Sequence, residues 1–283
     1  MHLARHSGGW RGDAAALASQ VHPVFMLPPL AASGFGAVLA GEFTLDVAAV
    51  HLAAMFFAVY TAHVKDGLVD FHVRGEDDDH PLTERGCLTA IRGASAAFFA
   101  CAAALWWAVG AGALLLVLPP WLIAYHHAPQ LDTNPVTTTT GYPLGIAFSL
   151  LGGYYVQTGA LGVRPLAFAA VLLVLLAGVK VVDDSQDYDY DRSIGKHTVA
   201  VVLGEQGARR VAFALMGAAM VGVVAFVAFA VFPPSAVAAV AAFGAVAAFA
   251  ARADPEIATM LLVRGCYVFL AVLVAAVWFQ PLA

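Results

Sequence analysis

The sequence predicts an all-α, polytopic membrane protein: about nine transmembrane helices in a bundle, with two polar cytoplasmic connections. Three observations carry that prediction. Of 283 residues, 61% are hydrophobic and only 12% are charged, against roughly 25% charged in a soluble domain; so little charge cannot coat a water-facing surface. Apolar runs long enough to cross a bilayer, roughly 20 residues each, recur along the chain. The basic residues gather at alternate ends of those runs, as the positive-inside rule demands.

Residues 1–17, "MHLARHSGGWRGDAAAL", form a polar N-terminal segment, too polar for the apolar region of a signal peptide. The whole chain, 1–283, reads as a single transmembrane domain behind that segment. Spans are expected near residues 20–40, 44–65, 88–109, 111–127, 141–162, 165–183, 208–231, 234–252 and 257–279. Between the third and fourth, "AVGAGALLLVLPPW" offers only glycines as a turn, so a kinked helix with a re-entrant piece, giving eight spans, is the alternative. Pro119 and Pro120 inside the fourth are tolerable where neighbouring helices satisfy the freed carbonyls. Cys101 and Cys266 read as small apolar residues within helices and Cys87 as a loop-edge residue; the spacing is not metal-like.

Orientation follows from the cations. With the N-terminus inside, Arg5 and Arg11 are cytoplasmic. So are Lys65, Arg74, Arg85 and Arg92 around the second-to-third connection, and Lys180, Arg192, Lys196, Arg209 and Arg210 around the sixth-to-seventh. Of 14 Lys and Arg residues, only Arg164 falls on the far side. The protein is therefore expected in the cell membrane, with the lipid bilayer as its surroundings and both long connections on the cytoplasmic face. The net charge of −5 is mild, and no nucleic-acid partner is expected.

Those two connections hold the chemistry. The second, "VKVVDDSQDYDYDRSIGKHT" from Val179 to Thr198, packs five aspartates into its first thirteen residues. Asp183, Asp187 and Asp191 are spaced i, i+4, i+8; if the sixth helix continues through them, they share one face. Like charges at that spacing repel, so they need a counter-charge. Carboxylate-rich sites suit hard divalent cations, and Mg²⁺ bridges one or two carboxylates to phosphate oxygens. Asp66 and Asp70 repeat the i, i+4 spacing at the end of the second span. Two such faces at one membrane depth can hold Mg²⁺ and a diphosphate, with Arg192 and Lys196 neutralising phosphate oxygens. The bland alternative, a solvated loop end, explains the number of acids but not their spacing or the trailing cations. It does suit most of Glu76 to Asp79, which are contiguous and cannot all face one site.

At these residues the sequence resembles the UbiA superfamily of intramembrane prenyltransferases. The family's second signature, Asp-x-x-x-Asp-x-x-x-Asp followed by Arg, Gly-Lys-x-Thr and an apolar run ending in Leu-Gly, stands here as Asp183, Asp187, Asp191, Arg192, Gly195, Lys196, Thr198 and "VAVVLG". The first signature departs from the pattern. Lys65 takes the place of the usual asparagine, Asp66 and Asp70 are one residue further apart, and His80-Pro81 stands where Arg-Pro is usual. The third acid is Glu76, Asp77 or neither. The resemblance implies Mg²⁺ held by Asp66, Asp70, Asp183, Asp187 and Asp191. It also implies ionisation of a polyprenyl diphosphate donor and transfer of the prenyl group to a lipophilic acceptor. Arg192 and Lys196 would bind the diphosphate, with Lys180, Lys65 and Tyr188 as further substrate contacts.

Other residues keep two readings. Lys180 snorkels, contacts diphosphate or pairs with Asp184; Tyr188 and Tyr190 flank the cation or anchor the interface. For His126 and His127 an interfacial role is expected over metal ligation, and for His63 packing. The "GGYY" run, Gly152 to Tyr155, reads as close helix packing. A cation-coupled transporter and a catalytically idle relative are the competing functions. Against the transporter, the acids sit at span ends, and the sequence has no clear inverted repeat.

Overall fold

The computed structural model describes residues 2–281, and its regular structure there is helical apart from an isolated antiparallel bridge between Ala4 and Leu82. Each expected span is a helix. A short α1 (Gly9–Ala18) precedes α2 (Pro23–Leu39) at a 65° bend. Then come α3 (Leu45–Gly67), which continues as a π-helical segment Leu68–Arg74, α4 (Glu84–Val109), α5 (Gly112–His126) and α6 (Pro135–Thr158). After α7 (Val163–Asp184) and a six-residue α8 (Tyr188–Ser193) follow α9 (Val199–Ala228), α10 (Val237–Ala250) and α11 (Pro255–Phe279). Among the described residues five helices are individually long and apolar enough to cross a membrane, and six if the bent α1–α2 pair is one span. The remaining spans are shorter or more polar: α5 has 15 residues with Pro119 and Pro120 inside, α10 has 14 residues, and α6 opens on a run of threonines. A turn at Gly110 separates α4 from α5, so these are two helices rather than one kinked one.

The ends of the helices follow local chemistry. Thr83 caps α4 by accepting from the Gly86 N–H at 2.9 Å, and Thr198 caps α9 by accepting from Val201 at 3.3 Å. Within α9 the backbone leaves helical geometry at Gly204, where φ is +72°, a conformation glycine adopts without a Cβ penalty. The "VAVVLG" run is thus a separate turn ahead of the long apolar stretch. One expectation fails. The sixth span does not continue through the second acid cluster: α7 stops at Asp184, Ser185 caps it, and the chain turns before α8 begins at Tyr188. Asp183, Asp187 and Asp191 therefore do not form one helical stripe. Six polar residues, Asp183 to Asp187 and Asp189, give this stretch little apolar surface to hold a helix in register, and like charges at i, i+4 oppose one.

The chain forms two compact units, Met1–Leu131 with Leu144–Leu161, and Asp132–Pro143 with Gly162–Ala283. The first is built around Met55, Phe98, Leu105, Val117 and Val156, all buried. A Cβ on Gly153 would lie 2.1 Å from the Ser33 carbonyl, so the backbones of α2 and α6 touch, and "GGYY" is close packing as read. The second is built around Phe168, Leu175, Met216, Phe243 and Phe269, all buried. Large apolar side chains also stand outward: Trp107 is 91% exposed and Phe229 80%, a pattern that a lipid solvent permits and water penalises.

Candidate active site

The first acid cluster lies where α3 passes into the π segment, in the first unit. The π turn accommodates the residue by which Asp66 and Asp70 are more widely spaced than the family pattern. Hydrogen bonds from i to i+5 widen the turn, so four steps complete about one revolution. His127 lies within electrostatic reach of both acids. Its Nε2 donates to Asp66 Oδ1, and its Nδ1 donates to the Ala124 carbonyl at 2.8 Å. Both partners only accept, so this imidazole carries both protons. Asp70 has Arg74 at 3.7 Å, and Arg74 also lies 3.5 Å from Glu76, whose side chain is only 7% exposed. The Glu76 N–H closes back on the Asp70 carbonyl at 2.7 Å, with Gly75 in the left-handed region between them. Glu76 is thus drawn to the first cluster, whereas Asp77, Asp78 and Asp79 are exposed as expected. Lys65 sits 5.0 Å from the Tyr125 ring centroid, a cation–π pair.

His80-Pro81, which stands where Arg-Pro is usual, is met by an arginine from elsewhere. Arg5 donates to the His80 carbonyl at 3.1 Å and to Asp79 at 2.9 Å, and its guanidinium lies 4.3 Å over the Phe71 ring. The extended backbone of residues 3–5 holds it there, through Arg5 N–H to Pro81 and Thr83 N–H to Leu3.

The second cluster lies in the second unit, at the end of α7 and in α8. Lys180 donates to Asp183 at 3.3 Å and to Asp184. Asp184 and Asp191 are buried, at 5% and 4% exposure, while Asp183 and Asp187 are exposed. Lys196 stands 3.7 Å from Asp191, and its backbone N–H donates to the Asp191 carbonyl at 2.9 Å. Burial pushes the Asp191 carboxyl above the usual carboxylate range; Lys196 opposes that, and Asp184 and Asp187 add to it. Arg192 is exposed and Tyr188 half-buried. The Tyr190 ring lies 5.8 Å from the Lys196 ammonium.

Mg²⁺ fits this donor set. The Oδ2 oxygen of Asp184 is buried without a hydrogen-bond partner, and an unpartnered buried carboxylate oxygen is costly unless a cation meets it. Sequence reasoning named Asp184 only as a partner for Lys180; its burial was hidden because the helix was expected to carry Asp183 inward. His127 was read as interfacial; its pairing with Asp66, 61 residues away, left no local signal.

A multi-pass helical membrane protein with carboxylate clusters at two helix ends is the class that this fold and these residues define. The model of the UbiA prenyltransferase family matches residues 26–256, and the chain belongs to that family; it is a prenyltransferase. No curated protein matches it in sequence. Solved structures share the fold. An apo UbiA homologue from Aeropyrum pernix K1 superposes with a TM-score of 0.69 at 22% identity, covering 90% of this chain and 97% of that one. A digeranylgeranylglyceryl phosphate synthase gives 0.72 at 11% identity, with 94% and 96% covered. A UbiA homologue from Archaeoglobus fulgidus bound to GPP and Mg²⁺ gives 0.66 at 17%, with 94% and 99% covered.

Proposed function

We propose that this prenyltransferase moves a polyprenyl group from a polyprenyl diphosphate to a lipophilic acceptor, a quinone-precursor aromatic ring or an isoprenoid lipid, in a Mg²⁺-dependent reaction. The observation that carries this reading is the second acid cluster: two buried carboxylates, one with an unpartnered oxygen, flanked by Lys180 and Lys196 at the end of an apolar helix. The GPP and Mg²⁺ bound by the Archaeoglobus homologue support the same donor class.

In this reading Asp66, Asp70, Asp183, Asp187 and Asp191 are the metal ligands, and Asp184 joins them. When bound, Mg²⁺ stabilises negative charge on the leaving diphosphate as a Lewis acid. Arg192 and Lys196 bind diphosphate oxygens, the arginine by its planar fork; Lys180, Lys65 and Tyr188 complete the contacts. The allylic C–O bond breaks with its electron pair going to the diphosphate, and the acceptor's nucleophile takes the prenyl cation and releases a proton. Apolar helix walls keep water from the reactive carbon. The whole chain works as one catalytic domain, with its N-terminus and both acidic connections cytoplasmic.

The test is diphosphate release from geranylgeranyl diphosphate by the detergent-purified protein, with and without EDTA and a panel of acceptors. Release that EDTA abolishes and one acceptor class accelerates is the expected result. No release with any donor from protein shown to be folded would overturn the reading and favour an idle relative or a transporter.

A further inference from the structure

The first unit holds a second group of metal-ligating side chains, distinct from the carboxylates. His72 in the π segment, His80 in the following loop and Cys87 in the first turn of α4 each bring one donor atom within 4.8 Å of the others. Cys87 is not the loop-edge residue its sequence context implied: it is helical and 0% exposed. Its Sγ lies 3.8 Å from His80 Nδ1. Tetrahedral zinc with bonds of about 2.0–2.3 Å sets its donors about 3.4–3.7 Å apart. The His80–Cys87 pair is near that spacing already, and His72 closes the set by a side-chain movement of about 1 Å.

Packing alone accounts for burial but not for the way the donors are aimed. The Nε2 of His80 faces Gln20 Oε1 at 3.3 Å, while the Gln20 amide nitrogen is turned to Ser19. An amide oxygen only accepts, so Nε2 carries the ring proton and Nδ1 keeps its lone pair. That lone pair is met by the Leu82 N–H at 3.2 Å and by the Cys87 thiol. The Leu82 carbonyl accepts from His72 Nε2 at 3.1 Å, so that ring moves its proton to Nδ1 before Nε2 can ligate; the same carbonyl lies 3.2 Å from His80 Nδ1, an oxygen donor already within the group. A histidine whose far nitrogen is fixed by an outer partner is the usual arrangement at metal centres. A Cβ on Gly67 would lie 2.0 Å from His80 Nε2, so the ring is seated against the backbone of α3. His80 is 5% exposed, and half-buried His72 gives an ion its way in.

We propose that His72 Nε2, His80 Nδ1 and the Cys87 thiolate bind Zn²⁺, with the Leu82 carbonyl or a water as the fourth ligand. Thiolate and imidazole favour Zn²⁺ over Mg²⁺, so this site does not compete for the ion that the carboxylates suit. Binding releases the thiol proton to solvent. It fastens the loop after the first acid cluster to α4, at the position where His80 stands in place of the family's arginine.

Cobalt titration of the metal-stripped full chain in detergent tests this. Stoichiometric Co²⁺ is expected to produce thiolate-to-cobalt charge-transfer absorption in the near ultraviolet, displaced by Zn²⁺ and unaffected by excess Mg²⁺. Cys87→Ser removes that absorption, while Cys101→Ser and Cys266→Ser retain it. Gln20→Ala, which frees the far nitrogen of His80, weakens Co²⁺ binding about 10–100-fold. Should Cys87→Ser not fold, His72→Gln serves instead and weakens binding at least about 10-fold. A wild-type protein without thiolate absorption, or absorption that survives Cys87→Ser, overturns the proposal. So does cobalt bound with a carboxylate-only spectrum.

Discussion

The two acid clusters resemble one another in sequence and differ in how their charge is met. In the first, on a helix that continues unbroken through a π turn, Asp66 has His127 and Asp70 has Arg74, and both acids are partly exposed. In the second the helix breaks. Five aspartates, Asp183, Asp184, Asp187, Asp189 and Asp191, stand against Lys180, Arg192 and Lys196, and two of the acids are buried. The difference teaches that a motif's letters do not set its charge state. The first cluster is largely neutralised by the protein's own cations, and a divalent ion must compete with them. The second carries surplus negative charge in a drier place, where a cation gains most.

The comparison breaks first at the second cluster. Asp183→Asn and Asp187→Asn are each expected to abolish prenyl transfer, a loss of about 10³-fold or more, on the scale of removing an electrostatic anchor for developing charge. Chromatographic behaviour and melting temperature should stay normal; retained activity would sink the assignment of these residues to the metal. Next in size, Lys180→Met removes the hydrogen-bonded cation of buried Asp184 and should cost about 1–3 kcal/mol of stability, the penalty of leaving a buried acceptor without its partner. Added Mg²⁺ should raise the melting temperature of that variant by more than it raises the wild type's. Equal shifts in both proteins would mean the ion does not reach Asp184.

Smaller effects are expected at the first cluster. His127→Gln removes the cation on a partly exposed carboxylate and should lower the Mg²⁺ concentration for half-maximal activity about three- to tenfold, the range of a 0.7–1.4 kcal/mol pair. An effect as large as that of Asp183→Asn would erase the distinction between the clusters. The smallest is a pH effect. With its carboxyl raised by burial, Asp191 takes a proton at a higher pH than a solvated acid does. Protons therefore compete with Mg²⁺ earlier on acidification, and apparent Mg²⁺ affinity falls as pH drops through that raised pKa. In Asp191→Asn this acid limb should move to lower pH; an unmoved limb would separate Asp191 from the metal.

The fold was legible because bilayer-length apolar runs are a strong, one-dimensional signal, and every expected span is a helix. The second signature was legible because Asp183, Arg192, Lys196 and Thr198 are close in sequence, and Thr198 does cap the next helix. What escaped depends on contacts distant in the chain or on backbone detail. Hydropathy gave no sign that α7 would stop at Asp184 rather than run on to Asp191. His127 meets Asp66 across 61 residues, and Arg5 meets Asp79 across 74. His72, His80 and Cys87 are eight and seven residues apart, a spacing that matches no familiar metal motif, and His80 lies in a loop between two helical segments. Only the π turn and the loop bring them together.

That π turn changes how this stretch should be compared with its relatives. An inserted residue in an α-helix ordinarily rotates everything beyond it by about 100°, and a second change must undo the rotation. Here the extra residue is taken up within Leu68–Arg74, so the displacement need not pass down the chain. A gap opened at this point in an alignment therefore does not measure a shift in space. Asp66, just before that segment, and Asp70, within it, can thus face one side despite the added residue.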